Sequence, residues 1–438
     1  MKMKKLHRWG IVAILLMAVV SCQKDLLVIV PQDEGQKDEW IERAKNFRER
    51  YTLKEMVVLS RHNIRSPLSG GGSVLSRVTP HKWFEWTSKP SELSVKGGEL
   101  EKLMGAFFRQ WAIDEGIIQS QVNPSAEQVR IYANSLQRTQ ATAQFFSDAM
   151  FPGVGIKPEM HEELGKMDPV FNPVTTQVDE AFRTEALAQM AALGGDEGLA
   201  GIGAVVSDEM SLIERIIDIK DSPAAANDTT SFKRNDVLIS IQEGKEPSMT
   251  GGLKLACSVS DALLLQYYEE TSDIAAGFGH YLKFEDWTRA ASVKDWYQDV
   301  LFTTPAVSRN VSRPLLNEIQ KELALKDRKF TFLCGHDSNI GSVLAALDCE
   351  DYLAPYAIEQ KTPIGGKVVF EKWLGADGVE YVDLLLVYAS AGQIRNKSTL
   401  TLNAPPIALP LRLKGLPANR DGLYTLADLQ KHISSILQ

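Results

Sequence analysis

Cysteine is scarce. The four in this chain of 438 residues are Cys22, Cys257, Cys334 and Cys349, and none forms a CxxC pair or a metal-ligand spacing. A disulfide framework is therefore excluded as the organising device, and with Cys22 set apart an odd number of thiols remains. An excess of positive charge is also missing. Lys and Arg number 48 against 56 Asp and Glu, a formal net charge of −8. That balance excludes nucleic acid as the main partner, because such binding runs on clustered cations. A small anionic substrate needs only a local basic pocket and stays open. No apolar stretch reaches the ~20 residues that a membrane-crossing helix needs. Internal repeats and low-complexity tracts are absent too, and nothing points to an obligate protein partner. What is present is an ordinary folded composition, 44% hydrophobic and 24% charged. A chain of this length buries a sizeable core, at roughly 150 residues per domain.

The first 21 residues read as an export signal. Lys2, Lys4, Lys5 and Arg8 make a basic start, and Trp9–Val20 is an apolar run. Val19, Val20 and Ser21 then lead into Cys22, a pattern that resembles a bacterial lipobox, in which the cysteine is lipidated and becomes the new N-terminus. Gln23 stands where an Asp often marks inner-membrane retention. The expectation is a chain lipid-anchored to a bacterial membrane, facing periplasm or cell surface, with residues 22–50 as tether and stalk and a helical look at 39–51.

Beyond residue 50 a strand–loop–helix pattern repeats. Met56–Ser60, Val129–Ala133 and Lys329–Cys334 read as buried strands, and helical spacing follows at 96–115, 136–150 and 339–347. Val368–Trp373 and Val379–Val387 read as an antiparallel hairpin. Residues 175–300 carry mainly helical patterns. The reading is an α/β fold, an open mixed sheet with flanking helices plus a mostly helical inserted cap. Residues 51–174 and 301–438 supply the two parts of the core, and 175–300 the cap.

Ligands of open α/β sheets bind beyond the carboxyl ends of strands. Three such ends carry the chemistry here: Arg61-His62-Asn63-Ile64-Arg65-Ser66-Pro67, then Asn134-Ser135-Leu136-Gln137-Arg138, then Gly335-His336-Asp337. Alone, Arg138 reads as a surface arginine and the His-Asp pair as a core histidine beside a surface acid. Together, three arginines, two histidines and an aspartate suit a phosphoryl group. Guanidinium forks match its oxygens, a neutral imidazole attacks phosphorus, and a carboxylic acid protonates the leaving oxygen.

These residues resemble the histidine acid phosphatase family, the two-domain branch of the histidine phosphatases, whose signature is RHGxRxP near the N-terminus and HD near the C-terminus. Asn63 replaces the signature glycine. With YANSLQRTQATAQFF, CGHDSNI and TPIGGKVVF, this substitution resembles the family's periplasmic glucose-1-phosphatase branch, over nearly the whole chain from residue 52. Relatives usually carry paired cysteines, which this chain lacks. The resemblance implies a phosphoglycerate-mutase-like core and an exported acid phosphatase acting on sugar phosphates such as glucose 1-phosphate. His62 would be the nucleophile forming a phosphohistidine and Asp337 the general acid, with Arg61, Arg65, Arg138 and His336 holding phosphoryl oxygens. Glu246 would shape the sugar side. No metal or cofactor is implied, because arginines take the part a metal would. The alternatives are an inositol-polyphosphate phosphatase, which would line its mouth with extra Lys and Arg, and a non-catalytic phosphate-binding lipoprotein, which would have lost His62 or Asp337. The cap's Lys220, Lys233, Arg234 and Lys245 against Glu243 and Glu246 leave the first open. The arginines are expected to lower the His62 pKa, bound phosphate to raise that of Asp337, and activity to favour mild acid. Asn63 is expected to narrow the pocket.

Overall fold

The computed structural model describes residues 41, 43–68, 73–227, 230–232 and 237–438. The expected signal, Cys22, most of the tether, and Lys233 and Arg234 lie outside the described residues.

The strands are β1 (Tyr51–Arg61), β2 (Val129–Ala133), β3 (Leu238–Ser240), β4 (Ser248–Thr250), β5 (Phe330–Gly335), β6 (Lys367–Gly375), β7 (Glu380–Tyr388), β8 (Ile407–Pro410) and β9 (Tyr424–Thr425). The main sheet runs β2-β5-β1-β6-β7-β8, with β9 on β7; β3 and β4 form a separate hairpin. β5 is parallel to both β1 and β2, and β6 is antiparallel to β1, so the sheet is mixed.

Side chains alternate between the two faces of the sheet, as strand geometry requires. Val57, Leu59, Leu333, Val368, Phe370, Leu384 and Leu386 face one cluster, which takes in residues of the Arg313–Leu323, Asp337–Ala346 and Leu426–Leu437 helices. Met56, Val58, Phe330, Phe332, Val369, Leu385 and Val387 face the other, shared with the Val95–Asp114 and Gln137–Met150 helices. Helices thus cover both faces, and all six residues of β5 are buried. A third cluster joins the Glu180–Ala192, Ser207–Ile216, Gly252–Glu269 and Phe284–Gln298 helices.

β1 starts at Tyr51, five residues before the expected Met56. Its first half alternates in burial and pairs with β6 across a bulge at Leu53/Glu55, so it lacks the continuous apolar signal of 56–59. The helix expected near residues 39–51 is, among the described residues, the single turn Phe47–Arg50. Phe47 packs edge-on against Trp373, with ring centroids 5.0 Å apart. Arg43 bonds Asp383 at 2.9 Å and also pairs with Glu371, so residues 43–50 lie against the sheet.

One close approach seats the loop after β1. The Val95–Asp114 helix is capped by Ser94, whose Oγ accepts the Gly97 N–H at 3.0 Å. The Ser94 N–H donates to the Ile64 carbonyl at 2.9 Å. A Cβ on Gly97 would lie 2.3 Å from that carbonyl oxygen. Gly97→Ala is therefore expected to cost about 1–3 kcal/mol of folding stability, measured by urea unfolding. A change under about 0.5 kcal/mol would show that the loop yields freely.

Candidate functional site

The parallel register of three strands aligns their carboxyl ends. Arg61 is opposite Gly335, and Ala133 opposite Cys334. The next residues extend the ladder: the His62 N–H donates to the Gly335 carbonyl at 3.0 Å, and the Asn134 N–H to the Cys334 carbonyl at 2.9 Å. His62, Asn134 and His336 thus leave the sheet side by side. Arg138 stands in the first turn of the helix after β2, and His336 caps the helix after β5, with its N–H on Asn339 Oδ1 at 2.9 Å.

Beyond these ends lies a cavity of about 370 Å³. His62, Arg65, Arg138, His336 and Asp337 line it, as does Glu246. Arg61 does not. It lies beneath, 1% exposed, with Nη1 donating to Glu359 and to the Thr362 carbonyl, each at 2.5 Å. Its Nη2 is 3.6 Å from Asp337 Oδ2. The Nε atoms of Arg61, Arg65 and Arg138 are buried without an acceptor.

The rings of His62 and His336 meet edge to face, centroids 5.4 Å apart. His62 Nδ1 is 2.8 Å from the Asn63 carbonyl. A carbonyl only accepts, so Nδ1 carries the proton and Nε2 keeps its lone pair. Burial, and then the charge of Arg138, holds His62 well below the usual imidazole range. Burial ranks ahead of the arginines that sequence reasoning had credited. The same causes push His336 down to about 3. Burial would raise Asp337, but Lys294 and Arg61 outweigh it and hold the carboxyl well below the usual carboxylate range. Lys294 Nζ donates to Asp337 Oδ2 at 2.6 Å.

Asn63 departs from expectation. Its amide Nδ2 donates to Glu101 at 2.7 Å, Oδ1 accepts the Ile64 N–H at 2.8 Å, and Glu101 pairs with Lys367 at 3.1 Å. The side chain points into this buried network and is not among the residues that line the cavity.

Sequence reasoning missed the contribution of two helices. From Gly252–Glu269 come Lys254, Cys257, Ser258 and Asp261, and from Phe284–Gln298 come Lys294, Tyr297 and Gln298. Asp261 takes Arg65 Nη2 at 3.0 and 3.3 Å. A signal existed: the buried residues of the second helix are Trp287, Ala290, Ala291 and Val293 together with Lys294, Asp295 and Gln298, so charged and polar groups recur at helical spacing among apolar ones. Glu246 is held on its loop by the Lys245 carbonyl, which accepts the Thr175 N–H at 3.0 Å. Desolvation raises its carboxyl, with Arg138 opposing.

The arrangement offers a neutral nucleophilic nitrogen, guanidinium donors, and a carboxyl beside a lysine. It fits displacement at a phosphorus held by cations.

Comparison with known proteins points the same way. The family model described as histidine phosphatase superfamily (branch 2) matches residues 52–387. The glucose-1-phosphatase of Salmonella typhimurium is 40% identical over 392 residues, covering 87% of this chain and 92% of that protein. Phytase AppA of Escherichia coli is 28% identical over 400 residues, covering 86% and 90%. The solved phytase of Citrobacter braakii superposes with a TM-score of 0.80 at 24% identity, covering 88% of this chain and 98% of that one.

Proposed function

Since the chain belongs to branch 2 of the histidine phosphatase superfamily and is a phosphoric monoester hydrolase, we propose that it releases phosphate from sugar phosphates such as glucose 1-phosphate through a phosphohistidine on His62. The observation that carries this reading is the His62 ring, anchored through Nδ1 so that Nε2 holds its lone pair in a cavity walled by Arg65, Arg138 and Asp337.

In this mechanism His62 Nε2 attacks phosphorus, the N–P bond forms, and the P–O bond to the sugar breaks. Arg65, Arg138 and His336 take charge on the equatorial oxygens, and Arg61 supports them from below. Phosphate in the cavity offsets the cations that hold Asp337 low, so the carboxyl takes a proton and delivers it to the leaving oxygen. Asp337, again a carboxylate, then draws a proton from water as its oxygen attacks phosphorus and frees His62. Inorganic phosphate leaves.

Glucose-1-phosphatase is the name of the Salmonella relative, and the lining of the cavity favours a sugar. Beyond the arginines it offers Glu246, Gln298, Tyr297, Ser258 and Ser338, groups that bond hydroxyls, and of the two lysines Lys294 is engaged by Asp337. A highly phosphorylated inositol calls for more free cations. The phytase reading keeps the support of the Escherichia coli relative and is the weaker one.

We read residues 1–21 as an export signal and Cys22 as a lipid attachment site on a bacterial membrane. Metabolic labelling of the full chain with palmitate is expected to mark it, and Cys22→Ser to lose the label; equal labelling of both would sink the anchor.

Turnover of glucose 1-phosphate, glucose 6-phosphate and phytate at pH ~5 tests the substrate, with glucose 1-phosphate expected fastest. His62→Ala is expected to abolish turnover of all three, and retained activity would refute the nucleophile. For Asp337 the sign is as follows: the acid must be protonated, Lys294 lowers its pKa, and loss of Lys294 raises it. Lys294→Gln is therefore expected to move the alkaline limb of kcat for glucose 1-phosphate upward by about 1 pH unit. With p-nitrophenyl phosphate, whose leaving group needs no proton, the limb should stay in place. An unmoved limb with both substrates would remove Lys294 from control of the acid.

A further inference from the structure

Both oxygens of Asp337 are occupied by donors. Oδ1 accepts the Ser338 N–H at 2.9 Å. Oδ2 accepts Lys294 Nζ at 2.6 Å, with Arg61 Nη2 3.6 Å away. For Oδ2 to carry a proton, Lys294 has to give it up, and a buried ammonium left without a partner is costly. A second acceptor lies within reach. Glu359 is buried in the loop before β6. Its Oε1 is 2.5 Å from Arg61 Nη1 and 3.7 Å from Lys294 Nζ. Its Oε2 accepts the Ile364 N–H at 3.1 Å, so the carboxylate is held by its own loop. Two cations thus stand between two carboxylates, and Lys294 has to close only about 1 Å to bond the other one.

We propose that Glu359 is a positioning residue for the acid step, which takes up the Lys294 ammonium while Asp337 Oδ2 is protonated and returns it once the proton has gone to the leaving oxygen; this rests on the phosphatase reading of the cavity. Lys294 keeps its three protons throughout, and only its hydrogen bond changes partner. The other groups around the pair do not offer the same exchange. Facing Asp337 are His62 and His336, both neutral, with Arg138 and the uncharged Cys257. Glu246 also acts on Asp337 but forms no ion pair among the described residues. Asp261 is taken by Arg65. Facing Glu359 are the Tyr268 hydroxyl and Asp295. Burial pushes Asp295 up to about 7, so in mild acid it is uncharged. Glu359 is the anion left to receive Lys294.

The test is kcat for glucose 1-phosphate against pH, in the full chain and in Glu359→Gln. Without the second carboxylate Lys294 stays on Asp337, the pKa of the acid falls, and its proton is lost at lower pH. The alkaline limb is therefore expected to move down by about 1 pH unit, opposite in sign to the Lys294→Gln shift. With p-nitrophenyl phosphate the limb should stay in place. An unmoved limb overturns the proposal, and so does a deficit of one factor at every pH, the mark of a merely structural loss. In the Lys294→Gln background the same substitution is expected to give a smaller step, because no ammonium remains to turn back; an equal step overturns the exchange. Where Glu359→Gln does not fold, Glu359→Asp decides, since it keeps the charge and draws it back by one methylene: a lesser downward shift is expected, and no shift overturns the proposal. Absence of turnover of both substrates by the unaltered chain fails the phosphatase reading, whereas an unmoved limb with turnover intact fails the exchange alone.

Discussion

Gathering three arginines and Lys294 at one cavity is unfavourable unless nearby carboxylates offset them, and the pairing chosen here sets the character of the site. Arg61 goes to Glu359, Arg65 to Asp261 and Lys294 to Asp337. Arg138 forms no ion pair among the described residues, and burial together with neighbouring Arg65 lowers it to about 10. Among these four the unmatched positive charge is thus concentrated at Arg138, beside His336, where a phosphoryl group supplies the missing partner. Two of these pairs, Arg65–Asp261 and Lys294–Asp337, join residues 175–300 to residues that leave the sheet. The contacts that stitch those helices to the strands are the same contacts that set the electrostatics of the cavity.

The two histidines lie with ring centroids 5.4 Å apart, and each is buried among cations, so each is neutral. For His62 the neighbour of Nδ1 is a carbonyl, and Nε2 is a lone pair. His336 faces a donor at each nitrogen, Asn134 Nδ2 at 2.7 Å and Arg138 Nη2 at 3.4 Å. The one ring presents a nucleophilic nitrogen to the cavity, and the other is braced between two donors.

Much of this was legible in the sequence because strand ends are local. The apolar runs before Arg61, Asn134 and Gly335 mark where β1, β2 and β5 stop, and an open sheet puts its ligand there. The bounds of Val129–Ala133 were readable to the residue. What stayed hidden depends on distance along the chain. Lys294 looks like any helix lysine until Asp337 is set beside it, and Asp261 is unremarked until Arg65 reaches across 196 positions. Asn63 misled for another reason: a sequence shows a side chain's size and not its direction, and the amide turned toward Glu101 and away from the cavity. The start of β1 was missed because its first half is buried in alternation and carries Glu55, whose charge is met at 2.6 Å by Lys372 on the neighbouring strand.

The order β2-β5-β1 has a consequence for biosynthesis. The two early strands are not neighbours; both await β5, whose Phe330 pairs with Met56 of β1 and Val129 of β2 from far along the chain. A growing polypeptide that has emerged only as far as the Phe284–Gln298 helix possesses every arginine of the site, yet it has no strand to bring them into line. The site can close only once Phe330–Gly335 and the Asp337–Ala346 helix have been made, so its assembly waits on the C-terminal part of the chain.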